Sequence, residues 1–412
     1  MDNAAPRRDN ALMQRALIIG GGLNGPALAL ALAKAGLEPV VLDALPAETR
    51  AAPGFDGRAY ALAHASVRLL KALGIWGAVA AEAQPIEEIK VTDGVAGEGA
   101  GPFWLHFERG ALEEGPMGQM VEDRHLRPAL LAGLEAAGIE HRAGVRVVAQ
   151  QAGPGTASVT LEDGTELTGT LIVGADGRRS GTAERAGLKR RVTDYGQSAV
   201  TCAVAHERPH EGVAHQFFMP GGPLAILPLA GNRSSIVWSE TTARAEALMA
   251  MDEPAFLAAL RPAFGDHLGK ISLASKRFAY PLGLSLAERF IAPRVALVGD
   301  AAHGLHPLAG QGLNAGLRDV AALAEVLSAA AQRGEDIGAA ATLARYQSWR
   351  GFDTQALALA TDGFNRLFSN DNPLLRAARG LGLGLVSAVP GLRRSLMREA
   401  AGLTGDLPPL MR

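Results

Sequence analysis

The stretch from Arg15 to Asp43 constrains the fold more than any other part of the chain. Arg15-Ala-Leu-Ile-Ile runs into Gly20-Gly-Gly22-Leu-Asn-Gly25, an Ala- and Leu-rich run continues to Lys34 and Gly36, and Pro39-Val-Val-Leu leads to Asp43. Short apolar runs bounded by glycine are the pattern of parallel strands buried on both faces, and the run between them has helical composition with a glycine stop. Together they make a βαβ unit of about 30 residues, whose right-handed crossover sets the two strands parallel. Glycine at Gly20, Gly22 and Gly25 lets the backbone turn tightly and approach a pyrophosphate, to which the following helix offers free N–H groups and its positive end. Asp43, closing the second strand, is placed to accept from a ribose 2′-hydroxyl. The glycine pattern does not separate NAD from FAD, and in a chain with 50 glycines it is weak by itself.

Two later runs, Leu171-Ile-Val-Gly174 and Arg294-Val-Ala-Leu-Val-Gly-Asp300, end as the first strand does, which predicts one shared sheet. Between them, Tyr195 to Glu240 alternates apolar segments with loops at Pro220-Gly-Gly222 and Ala230-Gly-Asn232, the pattern of an antiparallel meander. After Asp319 the chain reads as helical, with breaks at Gly334, Pro373 and Pro390-Gly391. A length of 412 residues exceeds what one core usually serves, and 48% hydrophobic against 20% charged residues describes a folded protein with a large interior.

Several classes of partner are disfavoured. A net charge of −2 gives no global field for nucleic acid. Cys202 stands alone, so no disulfide framework and no zinc cluster is expected, and a reducing cytosol fits. Arg7-Arg8 is followed by Asp9-Asn10, which speaks against an export signal, and the uncharged run Ala16 to Ala33 is broken by glycines, Asn24 and Pro26.

The segment that adds most is Val298-Gly-Asp-Ala-Ala-His303-Gly-Leu-His306-Pro307-Leu-Ala-Gly310-Gln311-Gly312-Leu313-Asn314-Ala-Gly-Leu-Arg-Asp319. It resembles the group A FAD-dependent monooxygenases. The resemblance implies that Asp300 holds the ribityl hydroxyls of FAD and that Pro307 to Asn314, including Gly310, Gln311, Gly312 and Leu313, lies beside the flavin ring. A helix starting after Gly312 would aim its positive end at the pyrimidine edge, where the reduced ring carries negative charge. Gly174-Ala-Asp176-Gly177-Arg-Arg-Ser180 resembles the family's short Asp-Gly fingerprint near flavin and pyridine nucleotide. It departs at Ala183, where the family commonly has arginine, which weakens the expectation for nicotinamide docking more than that for FAD.

Asp56-Gly-Arg58-Ala-Tyr-Ala-Leu-Ala, Leu73-Gly-Ile-Trp76 and Gln216 to Leu229 resemble the ubiquinone-biosynthesis hydroxylases within that superfamily, and the likeness runs over nearly the whole chain. The implied fold is α/β, like p-hydroxybenzoate hydroxylase. It has a Rossmann-like FAD-binding domain, an inserted antiparallel β-sheet substrate domain and a C-terminal helical region. The corresponding division gives FAD-binding segments at 1–75, 111–185 and 286–350, substrate-domain segments at 76–110 and 186–285, and the helical region at 351–412. The resemblance also brings Arg58 to the flavin or its entry loop and Arg124 to the cofactor cleft, though both also suit surface ion pairs. The implied substrate is a polyprenylated phenol, for which Phe217, Leu224, Ile226 and Leu227 are candidate pocket residues beside the plainer reading of core packing.

The implied chemistry is reduction of FAD by NAD(P)H, addition of O2 to give the C4a-hydroperoxide, and attack of the electron-rich ring on its distal oxygen. His303 and His306 are the nearest titratable candidates for a proton role, with loop-holding hydrogen bonds as the alternative. In the C-terminal region, Leu374, Ala378, Leu381, Leu385 and Val389 fall on one helical stripe beside Arg376 and Arg379. Such a stretch suits an anionic bilayer, a partner in a ubiquinone-biosynthesis complex, or the chain's own surface. The expected location is the cytoplasm or the inner face of the cytoplasmic membrane. Rival readings are a hydroxylase of a soluble phenol, a prenyl-chain reductase, and a flavin-holding component without turnover. A tryptophan-type halogenase is disfavoured because none of Trp76, Trp104, Trp238 and Trp349 forms a Trp-x-Trp pair.

Overall fold

The computed structural model describes residues 14–50, 52, 54–93, 104–108, 110, 113–219, 221–304, 310–368 and 389–412. The glycine-ended strands share one six-stranded sheet. Its order is Ile291–Ala292, Val295–Leu297, Leu171–Gly174, Arg15–Ile19, Glu38–Asp43 and Glu140–Ala143, parallel except for the first pair. Ile19 pairs with Gly174 and Gly174 with Leu297, so the three carboxyl ends finish at one level.

The helix Asn24–Lys34 follows the first strand and is buried from Gly25 to Leu32, which is why its sequence is apolar on every side. The turn between them requires glycine. Gly20 has φ +118°, and a Cβ on Gly25 would collide with the Gly20 carbonyl oxygen.

The meander expected from Tyr195 to Glu240 is present and belongs to a larger sheet. In order, this sheet contains His303–Gly304, Phe278–Ala287, Arg190–His206, Arg233–Thr241, Gly222–Leu229, Val213–Met219, Glu88–Asp93 and Trp104–Phe107. Neighbours are antiparallel except Val213–Met219 with Glu88–Asp93, a parallel pairing across more than 100 residues that no local pattern announces. Helices Thr242–Ala250 and Glu253–Phe264 cover one face of this sheet through Leu248, Phe256, Leu260 and Phe264.

The C-terminal region contributes helices Gln311–Gln332, Ala340–Phe368 and Pro390–Ala400. Met397 and Ala401 are buried with Ile86, Leu105, Phe107 and Phe218, and Arg398 pairs with Glu114 at 3.3 Å. This last helix therefore packs on its own chain. Leu374, Ala378, Leu381, Leu385, Arg376 and Arg379 lie outside the described residues, and Val389 is exposed just ahead of the helix. No helix among the described residues is long and apolar enough to cross a membrane.

Candidate active site

A cavity of about 1180 Å³ opens between the carboxyl ends of the parallel strands and the free face of the large sheet. Gly20, Gly22, Asp43, Arg58, Asp176, Asp300, Gly310, Gln311, Gly312, Leu313 and Asn314 all line it, although they come from four separate stretches of chain. Gly25 sits behind them and lets the first helix close on the turn. A Cβ on Gly22 or Gly312 meets no atom within 4 Å, so at both places bare backbone faces the open cavity as a dinucleotide cradle requires. A helix begins just after Gly22, and Gly312 lies in the first turn of the helix Gln311–Gln332, so both helix N-termini direct free N–H groups into the same space. These features fit FAD. Pro307 and His306 lie outside the described residues.

The acidic residues are each held in place. Asp43 accepts from Arg50 Nε at 2.7 Å and Nη2 at 2.9 Å; burial alone would raise its pKa, but the guanidinium lowers it below the usual carboxylate value. A ribose would therefore meet a carboxylate already paired with Arg50, which also lines the cavity. Asp176 accepts from Ser180, and from Thr182 N at 3.0 Å and Oγ1 at 2.9 Å, so it caps its own turn. Asp300 is partly exposed at 3.5 Å from Arg178, and Arg190 steadies its turn by donating to the Asp300 carbonyl at 3.0 Å. Asn314 receives from Ala63 N at 2.9 Å and Ser66 Oγ at 2.7 Å and donates to Ala61 O at 2.8 Å, locking the helix start onto the Ala59–Leu62 strand.

Three expectations are corrected. Arg124 is not among the cavity-lining residues; it pairs with Glu122 at 2.8 Å, and the helix turns its neighbour Arg127 inward instead. Arg127 donates to both oxygens of Asp123 at 3.0 and 2.7 Å, and Arg58 and Tyr60 reach the same carboxylate at 3.2 and 2.8 Å. Arg58 also pairs with Asp56, a bond that raises its pKa against the opposing effect of burial.

His303 does not reach the cavity. It is 0% exposed, its Nε2 lies 2.5 Å from Asp319 Oδ2, and Arg350 Nε donates to Oδ1 of the same carboxylate at 2.8 Å. Its contacts tie it to Asp319 within the fold. His215 stands on a strand of the cavity floor, but its ring lies 5.6 Å from Phe217 and 4.6 Å from His267 on the opposite face of the sheet, where burial, then His267 and Lys90, push its imidazole down to about 3.

The third correction concerns the pocket. Strand residues alternate between faces, so of the four candidates only Leu227 borders the cavity. Phe217, Leu224 and Ile226 point the other way and are at most 4% exposed beneath Phe256, Leu260 and Phe264. Leu224→Ala is accordingly expected to cost about 2–5 kcal/mol of stability in denaturant titration while leaving ligand affinity unchanged. The residues that face the cavity form a row across the sheet, Thr201–Val237–Ala225–Gln216–Val91–Leu105, with Tyr280, Leu227, Phe218, Ile89 and Phe107 around it.

Sequence reasoning also missed Arg50, Tyr60, Arg127, Arg190 and Asp319. Faint signals existed for two of them. Arg127 stands one helical turn after Asp123, and Asp319 closes the segment that begins at Val298.

Residues 13–357 match the family model described as an FAD binding domain. The chain is 46% identical over 400 residues to the ubiquinone hydroxylase UbiL of Rhodospirillum rubrum, covering 96% of this chain and 92% of that one. It is 36% identical over 389 residues to the 3-demethoxyubiquinol 3-hydroxylase of Escherichia coli, covering 94% and 98%. Among solved structures, p-nitrophenol 4-monooxygenase PnpA from Pseudomonas putida superposes with a TM-score of 0.77 at 20% identity, covering 95% and 98%, a likeness of fold. With the FAD-binding match and the cradle opening onto a sheet-floored cavity, these likenesses make the molecule a flavoprotein monooxygenase with FAD as its cofactor. Within that class the chain belongs to the ubiquinone-biosynthesis hydroxylase family.

Proposed function

We propose that this enzyme hydroxylates the ring of a polyprenylphenol on the pathway to ubiquinone, with NAD(P)H as electron donor and O2 as oxygen source. The observation that carries the substrate class is the grading of the sheet face over the cavity. Ala199, Ala225 and Val237 leave room over the middle strands, whereas Ile89, Val91, Leu105, Phe107 and Phe218 give the outer strands an apolar wall that Leu396 and Met397 cover from the last helix. A flat ring fits the first part and an isoprenoid tail the second, where burial of each CH2 contributes about 0.8 kcal/mol.

Bound FAD, once reduced, supplies the electrons and the activation of O2. The chain's own contribution is placement. Gly20, Gly22, Gly25, Asp43, Asp176 and Asp300 would hold the dinucleotide, and Gly310 to Asn314 would present the positive helix end to the anionic reduced ring. Arg58, fixed by Asp56 and Asp123, would bring a second positive charge to that ring. Leu227, Phe218 and Met397 would exclude water from the oxygen-transfer step. The division into FAD-binding segments at 1–75, 111–185 and 286–350 and substrate segments at 76–110 and 186–285 is part of this reading. The stretch carrying Arg376 and Arg379 is proposed to meet an anionic bilayer or a pathway partner, since Arg398 is already paired on the chain itself.

The test is anaerobic reduction of the holoenzyme by NADPH or NADH, then O2, with and without a short-chain prenylphenol, with the product followed by mass. One added oxygen per nucleotide oxidised is the expected result. Bound flavin that gives no product with any phenol would overturn the reading.

A further inference from the structure

Gln216 is a polar residue set in the apolar part of the cavity floor. It is partly exposed and lines the cavity, and its carboxamide makes no hydrogen bond among the described residues. Neither its oxygen nor its nitrogen is among the buried polar atoms that lack a partner, so both stay open to the cavity. The residues directly beside it on this face are apolar: Ala214 and Phe218 along its own strand, and Ala225 and Val91 across the two neighbouring ones. A leucine would continue that face and bury more apolar area, so packing does not call for an amide here.

The other polar groups of the floor are covered or engaged. The Thr201 hydroxyl is buried beneath Gly57, and Tyr280 reaches the Asp56 carbonyl at 3.5 Å. Both stand at the flavin-side loop, where Gly57 leads through Arg58 into the strand that Asn314 ties to the start of the Gln311–Gln332 helix. Gln216 is three strands from Thr201, about 14 Å at ordinary strand spacing, with Val237 and Ala225 between them. A ring seated over Val237 and Ala225 has one edge toward the flavin-side loop and the opposite edge toward Gln216. Beyond Gln216 the floor continues as Val91 and Leu105, the wall that suits an isoprenoid tail. The amide therefore stands at the border between ring and tail.

We propose that the Gln216 carboxamide hydrogen-bonds an oxygen substituent on the tail-bearing edge of the substrate's aromatic ring and thereby sets which ring carbon is turned toward the flavin side of the cavity. The proposal rests on the polyprenylphenol reading above and names a residue for it. Gln216 acts by contact and orientation, and no proton transfer is assigned to it.

Gln216→Leu, similar in size and without the amide, separates this role from a structural one. Two probes are compared on the oxidised holoenzyme through perturbation of the flavin spectrum, a short-chain prenylphenol and the prenylbenzene that lacks its oxygen. The preference for phenol over hydrocarbon is expected to fall about tenfold in Gln216→Leu, the loss of one hydrogen bond, with affinity for the hydrocarbon unchanged or tighter. With NAD(P)H and O2 the variant should release more hydrogen peroxide per nucleotide oxidised and give product at more than one ring position. The unfolding temperature of the FAD-free Gln216→Leu chain should equal or exceed that of wild type.

An unchanged preference in Gln216→Leu overturns the assignment. So does a fall in unfolding temperature with equal loss of affinity for both probes, which would make the amide a structural group, or a loss of FAD affinity with the preference intact, which would place the contact on the cofactor. Wild-type enzyme that hydroxylates no phenol overturns the functional reading and the assignment with it, whereas wild-type turnover with an unchanged preference in the variant overturns the assignment alone.

Discussion

Asp319→Ala is expected to lower the stability of this protein by about 3–5 kcal/mol in denaturant unfolding. Asp319 is 0% exposed and binds three groups at once: His303 at 2.5 Å, Arg350 at 2.8 Å and the Gly299 backbone N–H at 3.0 Å. Removing the carboxylate leaves the Arg350 guanidinium, 2% exposed, paired with the partly exposed Asp353 at 2.9 Å but without its buried counter-charge, and breaking a buried pair costs more than the pair contributed. Gly299 precedes Asp300 at the flavin end of the cavity, so FAD retention after gel filtration should fall with stability. Phe352→Ser, at a side chain 79% exposed, provides the contrast and should stay within about 0.5 kcal/mol.

The pH dependence of the same residue has a definite sign. Burial acts to raise the Asp319 pKa, but His303 and Arg350 together hold it below the ordinary value of 3.8. A carboxylate whose folded pKa is depressed contributes stability above its unfolded pKa and loses it as pH falls through the folded one. Wild type should therefore lose stability below about pH 4, and Asp319→Ala should show a shallower acid limb. Equal slopes in the two proteins would show that other carboxylates govern the acid transition.

The second prediction contrasts two glycines of one turn. At Gly25 a Cβ would strike the Gly20 carbonyl oxygen, so Gly25→Ala must move backbone and should cost at least about 3 kcal/mol or prevent folding. At Gly22 a Cβ meets nothing within 4 Å, and φ is not in the left-handed region, so Gly22→Ala should leave the stability of the FAD-free chain within about 0.5 kcal/mol. The same methyl stands where a pyrophosphate would approach the backbone. FAD affinity, measured by flavin fluorescence titration, should drop roughly 10- to 100-fold, the equivalent of 1–3 kcal/mol of overpacking moved from the fold to the complex. If Gly22→Ala instead binds FAD like wild type, the pyrophosphate does not lie against that turn.

The sequence by itself determined what depends on near neighbours in the chain. Gly20 to Gly25 between two apolar runs, the repeat of that strand ending at Gly174 and Gly299, and the helix expected after Gly312, which begins at Gln311, all encode backbone geometry within a few residues. The parallel sheet and the glycine-lined end of the cavity were legible for that reason. Tertiary structure alone decided which side chains face the cavity. A strand presents opposite faces to successive residues, and only pairing with Val213–Met219 and Arg233–Thr241 determines that Ala225 and Leu227 look inward while Leu224 and Ile226 look toward the helices. Helix rotation likewise turned Arg127 toward the cavity and Arg124 away from it, and burial against Asp319 kept His303 out of the cavity lining. These choices rest on contacts between residues far apart in the chain, and their physical cause is the burial and pairing of charges and faces that no local pattern records.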